Sequence, residues 1–369
     1  MPISLVANRQ THLLHVFPTF AVGGSQMRFA QLARIHGPRY RHTVLALDQN
    51  YDMTNRLGGL PIAYQELTFD KRKTLESWRK FRALLHSLRP DVLLTYNWGA
   101  VEWALLNRFG ARTHHVHIED GFGPEEVRQQ LLRRIWARRL ALSGTHTRVI
   151  LPSRNLEKIA LSQWSLPPNR VMFVPNGVDC ARFAVASRAA RNASPLVIGT
   201  VASLRREKNI GRLIRAFAAL AAQTAPGAVQ LMIVGDGAER PALEQLARAL
   251  AIFDHVRFTG QTSRPEEWYP QMDIFALSSD TEQMPLSVLE AMAAGLPVVA
   301  TAVGDVAQMV SARNAPYIAA AQDEAFRDAL ARLAADRPAQ RAIGAENERK
   351  AREHFDEQVM ARRYAEIIG

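Results

Sequence analysis

The 369-residue sequence predicts an α/β protein of two doubly wound domains facing an interdomain cleft. Three observations carry this expectation. Short apolar runs alternate with longer helical patterns, as in a parallel sheet covered on both faces. The alternation stops once, at the Pro-, Gly-, Ala- and Arg-rich stretch "PNGVDCARFAVASRAARNASP" from Pro175, and then restarts. Hydrophobic residues make up 47% and charged residues 22% of the chain, enough apolar material for two cores. The expected division is a domain over 1–178, a second over 179–353, and a closing helical segment over 354–369 that packs back on the first.

In the first half, "HLLHVF" from His12 is a strand, and Gly23-Gly24 leads into the helical "SQMRFAQLARIH". "HTVLALD" from His42, "DVLLTY" from Asp91, "THHVHIE" from Thr113 and "THTRVILP" from Thr145 continue the series. In the second half, "LVIGTVAS", "VQLMIVGDG", "HVRFTG", "MDIFALSS" and "LPVVAT" are strands, each followed by helical pattern. Ligands of such sheets bind at the carboxyl ends of the strands.

Apolar runs are broken before the eighteen residues or so that a membrane helix needs. No signal peptide is expected at the N-terminus. Cys180 is the one cysteine, so no internal disulfide can form and a cytoplasmic home is expected. A net charge of +11 points to anionic partners without choosing among phosphate ligands, nucleic acid and an acidic membrane face. With neither a D-x-D pair nor a tight His/Cys cluster, no metal site is expected. The absence of G-x-S-x-G removes the simplest hydrolase reading.

Five stretches offer chemistry. "TEQMPLSVLEAMAAGLPVVAT" from Thr281 places Glu282 in the loop after a strand and Glu290 inside the next helix. Pro285 suits its start, and Gly295 with Pro297 its end. The helix start suits a phosphate; an ordinary amphipathic helix with Glu290 exposed has the same spacing. "TVASLRREKNIGRLIRAF" from Thr200 sets Arg205 and Lys208 in a loop where a guanidinium can grip a diphosphate and a lysine adds charge. A solvated basic loop reads the same way. Gly23 and Gly24 let backbone approach a ligand at a helix start, although a plain βα turn would serve as well. His117, Glu119 and Asp120 in "VHIEDGFGPEE" lie where a strand gives way to a Gly-rich loop, suited to a polar substrate; a satisfied histidine and a pair of loop acids read the same way. "VRQQLLRRIWARRLALSG" from Val127 intersperses apolar residues with Arg128, Arg133, Arg134, Arg138 and Arg139. Such a helix could lie on an anionic membrane or pack on a core with a basic outer face.

The order of these pieces resembles glycosyltransferase family 4: the Gly-Gly loop, His117, "PNGVD", Arg-x-x-Lys-Asn, "VGDG", then Glu-x7-Glu with "AMAAGLPVVAT". The resemblance spans nearly the whole chain and is most specific from Val197 to Thr301. It implies the GT-B fold with two Rossmann-like domains, and a retaining transferase that uses a UDP-, GDP- or ADP-sugar as substrate and needs no cofactor. By resemblance, Arg205 and Lys208 hold the donor diphosphate and Glu290 the ribose. Glu282 and His117 meet the transferred sugar as catalytic residues. Gly23, Gly24, Met284, Pro285 and Leu286 complete the donor site. The acceptor, a glycan or lipid-linked sugar of envelope or exopolysaccharide synthesis, falls to the first domain. Trp98, Glu119 and Asp120 are its candidate contacts, and Tyr96, Asn97 and Trp103 lie in the same stretch. An anionic membrane surface is a further expected partner and nucleic acid is not.

The sequence departs from the family pattern at Gln283-Met284-Pro285, where Gly-Phe-Pro is usual. It departs again at "SLR" before Lys208, and at Gly304-Asp305 and Gln308 after "VVAT". Two rival readings stand beside the transferase. A GT-B nucleotide-sugar epimerase would share the halves and the cleft. A basic nucleic-acid-binding protein would account for the charge, but its basic residues are scattered and form no recognisable binding module.

Overall fold

The computed structural model describes residues 10–69, 74–122, 124–126, 130–184 and 195–369. The chain forms two compact units. The first runs to Pro175 and takes up Ala361–Gly369, and the second spans Asn176–Met360.

The first unit holds strands β1 (Thr11–Phe17), β2 (Tyr40–Ala46), β3 (Ile62–Gln65), β4 (Val92–Tyr96), β5 (His114–Ile118), β6 (Thr147–Leu151) and β7 (Val171–Phe173). They form one parallel sheet in the order β3-β2-β1-β4-β5-β6-β7. Helices α1 (Gly24–His36), α2 (Thr74–Leu88), α3 (Val101–Phe109), α4 (Leu132–Leu142) and α5 (Arg154–Ser162) connect them. Apolar residues gather in two clusters, around Leu93, Phe81 and Trp103 and around Val149, Leu142 and Trp164, on the one sheet face that Leu93 and Val149 share. Tyr96 and Trp103 are core residues: Tyr96 hydroxyl bonds His15 Nδ1 at 2.9 Å, and Trp103 packs on Phe69 and Phe81. β3 and β7 went unread in the sequence; β3 is four residues long with two exposed, too little apolar surface to stand out.

The second unit repeats the plan. Its strands are β8 (Leu196–Val201), β9 (Val229–Val234), β10 (Val256–Gly260), β11 (Ile274–Leu277), β12 (Val298–Thr301) and β13 (Ile318–Ala319), parallel in the order β10-β9-β8-β11-β12-β13. The helices are α6 (Cys180–Phe183), α7 (Ile210–Ala221), α8 (Arg240–Ala249), α9 (Leu286–Ala293), α10 (Val306–Met309), α11 (Asp323–Ala335), α12 (Arg337–His354) and α13 (Glu357–Ile368), the last running on into the first unit. The chain entering at Asn176 is tied to the chain leaving: Val178 N–H donates to Phe355 O at 2.8 Å and Glu357 N–H to Val178 O at 2.9 Å. Gly177 is required there, since a Cβ would press on the Glu357 backbone.

In both sheets the strand order reverses beside the first strand, between β1 and β4 and between β8 and β11. A doubly wound sheet opens its crevice at such a switch point.

Candidate functional site

In the second unit, the loops after β8 and β11 meet at the switch point. Asp280 N–H donates to Glu207 O at 2.8 Å and Ser278 Oγ to Lys208 O at 3.1 Å. Asn209, in the left-handed region at φ 42°, caps α7 and donates from Nδ2 to Asp280 at 3.0 Å. Arg212 anchors the same turn by donating to Ser278 O at 2.9 Å. On this frame Lys208 Nζ donates to Glu282 Oε1 at 2.6 Å, and Ser279 Oγ donates to the same oxygen at 2.8 Å. Thr301 Oγ1 in turn donates to Ser279 O at 2.6 Å. One Glu282 oxygen is thereby fixed from two sides. Arg205, three residues before Lys208, is exposed and has no ion-pair partner among the described residues.

The glycines of "VGDG" serve this frame through close backbone approach. Gly235 has φ 138°, and a Cβ on it would collide with Ala202 O; Leu204 N–H donates to Asp236 O at 2.9 Å. Gly304, φ 53°, likewise lies against the carbonyls of Glu282 and Gln283.

Glu290 is half-buried, four residues past the start of α9, and accepts a 2.6 Å bond from Tyr269 hydroxyl. Burial raises its pKa, while the Tyr269 bond and the Arg182 charge oppose the rise. The solvated-glutamate alternative therefore does not hold. Met284 and Pro285 are buried, and Asn176 Nδ2 donates to Met284 O at 2.9 Å. Leu286 opens α9 and is partly exposed.

In the first unit, Gly23 is the N-cap of α1 and Gly24 its first residue, directly after the β1 loop. His117 lies inside β5, fully buried, with both ring nitrogens engaged. Nδ1 is 2.8 Å from Thr95 Oγ1, and Nε2 is 3.2 Å from Glu119 Oε2. Arg138 Nε donates to the same Glu119 oxygen at 3.3 Å and spans Glu126 with bonds of 3.0 and 3.3 Å. Arg134 binds Glu126 at 3.1 Å and also pairs with Glu125. The Arg138 guanidinium sits about 5 Å from the rings of Trp98 and Trp164, a cation–π enclosure that suits a desolvated guanidinium. Glu119 Oε1 is buried with no hydrogen-bond partner among the described residues. Asp120 grips Arg28 of α1 bidentately, Nη2 to Oδ2 at 2.8 Å, and its N–H donates to Asn97 Oδ1 at 2.7 Å. The structure thus joins His117, Glu119 and Trp98 through Arg138, and ties Asp120 to α1.

Comparison with known proteins matches the two halves separately. Residues 22–182 fit the family model "Glycosyltransferase Family 4", and residues 195–336 fit "Glycosyl transferases group 1". The D-inositol 3-phosphate glycosyltransferase of Corynebacterium urealyticum is 30% identical over 278 residues, covering 68% of this chain and 65% of that one. The chain belongs to the family 4 glycosyltransferases. The GDP-mannose-dependent alpha-mannosyltransferase of Mycobacterium tuberculosis is 32% identical over 239 residues, covering 62% of this chain and 59% of its own length. The chain thus spans less than two thirds of the length of these curated relatives. The fold is GT-B: the crystal structure of Anabaena HepE in complex with UDP superposes with a TM-score of 0.82 at 20% identity, covering 96% of this chain and 99% of HepE.

For this family 4 chain, one sequence expectation needs correction. The basic face expected on the helix from Val127 divides. Arg134 and Arg138 turn inward to carboxylates, Arg133 and Arg139 are exposed, and Arg128 lies outside the described residues. A single helix cannot send residues 134 and 138, one turn apart, to the side opposite the core when their partners Glu119 and Glu126 are buried there. Sequence reasoning also missed Ser279, Tyr269 and Arg28. The doubled acid Glu125-Glu126 close before an arginine-rich helix was a usable signal for internal pairing. Among the described residues, no helix is long and apolar enough to cross a membrane, and no group of three or more His, Cys, Asp or Glu residues is placed to hold a metal ion.

Proposed function

We propose that this chain is a retaining transferase that moves a sugar from a nucleotide-diphosphate sugar to a glycan or lipid-linked acceptor. The setting is bacterial envelope or exopolysaccharide synthesis, on the cytoplasmic side of the membrane. The observation that carries the reading is the cluster at the β8/β11 switch point: Arg205, exposed and without an ion-pair partner among the described residues, beside the Lys208–Glu282 pair. Arg205 and Lys208 supply positive charge where a diphosphate leaves, so no divalent metal is called for. Lys208 and Ser279 occupy Glu282 Oε1 and leave Oε2 to face the sugar hydroxyls and the positive charge that develops at the anomeric carbon. Glu290, braced by Tyr269, takes the ribose hydroxyls.

In the first unit Gly23 and Gly24 bring backbone to the donor phosphates or the acceptor. His117 serves beside the transferred sugar once its Nε2 bond to Glu119 opens, because both nitrogens are otherwise engaged. Trp98, Glu119 and Asp120 act on the acceptor side through the groups they hold in place. The GDP-mannose named for one relative and the UDP bound by HepE both support a nucleoside diphosphate donor, with the base still to be assigned.

Calorimetric titration with UDP, GDP, ADP and their sugars tests the reading. At least one should bind, and Arg205→Ala should weaken it about ten- to a hundredfold, the loss of one charge-assisted phosphate bond. Unchanged affinity in that variant would remove Arg205 from the donor site. Turnover with the donor so identified should persist in EDTA; loss restored by Mn²⁺ or Mg²⁺ would place a metal on the leaving group.

A further inference from the structure

The outer face of α4 carries an apolar stripe with no partner among the described residues. Leu132, Trp136 and Leu140 are 72%, 64% and 49% exposed. At about 100° per residue these positions, four apart, fall within one narrow sector of the helix. Exposed Arg139 borders the sector on one side and exposed Arg133 on the other, with the Arg139 guanidinium 5.3 Å from the Trp136 ring. The helix contains no acidic residue. Arg108 of α3 bonds Leu140 O and lies 5.4 Å from the ring of Phe109, which is itself 68% exposed. Exposed Arg112 follows three residues later. The inner face of α4, by contrast, is pinned by Arg134 and Arg138 to buried carboxylates.

We propose that this face docks the chain on an anionic lipid bilayer. Leu132, Trp136 and Leu140 enter the headgroup–acyl boundary, while Arg133 and Arg139 meet the lipid phosphates. An interfacial helix has this composition: apolar and Trp residues on the face that enters the bilayer and arginines at its edges. A protein partner fits less well. A stable interface takes roughly 800 Å² and 20–30 residues per side, which four apolar side chains do not fill. A second copy placed face to face would set Arg133 and Arg139 against their own like charges. Arg134 and Arg138 are neutralised internally, so on this helix the attraction to lipid falls to Arg133 and Arg139 beside the apolar stripe. The bearing of this docking on catalysis rests on the transferase reading: the docked helix is the one whose inner face holds Glu119 and His117, so a lipid-linked acceptor would be presented to that end of β5.

Flotation of the full chain with vesicles of phosphatidylcholine, with and without phosphatidylglycerol, tests the proposal. The wild type should float with the anionic vesicles. Leu132→Ser, Trp136→Ser and Leu140→Ser combined should lower the partition coefficient at least about tenfold. Arg133→Glu with Arg139→Glu should abolish the preference for anionic over neutral vesicles. All five residues are exposed, so melting temperature and nucleotide affinity should stay as in the wild type. Absence of flotation by the wild type, or equal flotation by the triple variant, overturns the proposal. A dimer seen by light scattering that the triple variant abolishes would reassign the face to a second copy. Nucleotide titration is a separate readout: a chain that floats but binds no nucleotide refutes the transferase reading and leaves the docking surface standing.

Discussion

The two units share one sheet plan and handle charge at the carboxyl ends of their strands in opposite ways. In the first, polar residues in and after β5 find internal partners: Glu119 and Glu126 in Arg138, Asp120 in Arg28, and His117 in Thr95 and Glu119. In the second, the loop after β8 leaves Arg205 exposed, with no ion-pair partner among the described residues, beside a fixed Lys208–Glu282 couple. Their interiors differ as well. The first unit buries His12, His15, His42, His115 and His117, whereas neither histidine of the second unit, His255 or His354, is buried. A buried and balanced network orders a unit, while an exposed cation waits for an anion. The first arrangement should therefore reveal itself in stability and the second in ligand affinity.

The sharpest way to break that contrast is Arg138→Ala. It leaves Glu119 and Glu126 buried without their shared cation, and removal of one partner from a buried ion pair costs about 3–5 kcal/mol. Five of the six tryptophans lie in the first unit, so tryptophan fluorescence during denaturant unfolding reads its stability. Arg205→Ala, in the second unit and followed by far-UV circular dichroism of the whole chain, should change stability by no more than about 0.5 kcal/mol, as exposed substitutions do. Equal stability losses in the two variants would erase the distinction.

The two glutamates of the second unit sharpen it next. Glu282→Gln should lower kcat about ten- to a hundredfold with donor affinity nearly kept, because its interaction grows as charge develops. Glu290→Gln should raise donor KM with kcat roughly kept, because a ribose contact is equal in ground and transition states. Weakened donor binding with intact saturated turnover in Glu282→Gln would reverse the assignment.

The smallest expected effect concerns pH. Burial pushes His15 and His115 well below the usual histidine range and His42 down to about 4, with neighbouring histidines adding to the drop. These histidines stay neutral when folded and take protons when unfolded. Their contribution is complete above the unfolded pKa near 6.5 and is lost as pH falls below it. Between pH 7 and pH 6 each should remove at most about 0.7 kcal/mol. The tryptophan-detected transition of the first unit should move to lower denaturant over that interval. A midpoint that stays fixed would show that the histidine network is protonated without cost.

The charged loops of the second unit were more legible than the polar cluster of the first, and the reason is the range of the interactions. Arg205, Lys208, Glu282 and Glu290 lie in or just after loops that strand ends define, so apolar runs and Pro/Gly punctuation locate them. Glycine positions were legible too, although the structure gives "VGDG" a packing task against Ala202–Leu204 that the sequence could not separate from phosphate binding. In the first unit, Tyr96 and Trp103 read as sugar platforms or as core with equal ease, and only the sheet put them inside.

By itself the sequence determined the alternation, the break near Asn176, and the loops in which the charged residues stand, since each follows from local period and turn chemistry. The tertiary structure decided which charges are matched. Arg138 and Arg139 are adjacent, yet one is sealed between two glutamates and three aromatic rings while the other faces solvent. A helix turns about 100° per residue, and both faces of this one carry leucine and arginine. No periodicity could say which side meets the core; that was settled by where β5 delivers Glu119 and where the following turn delivers Glu126.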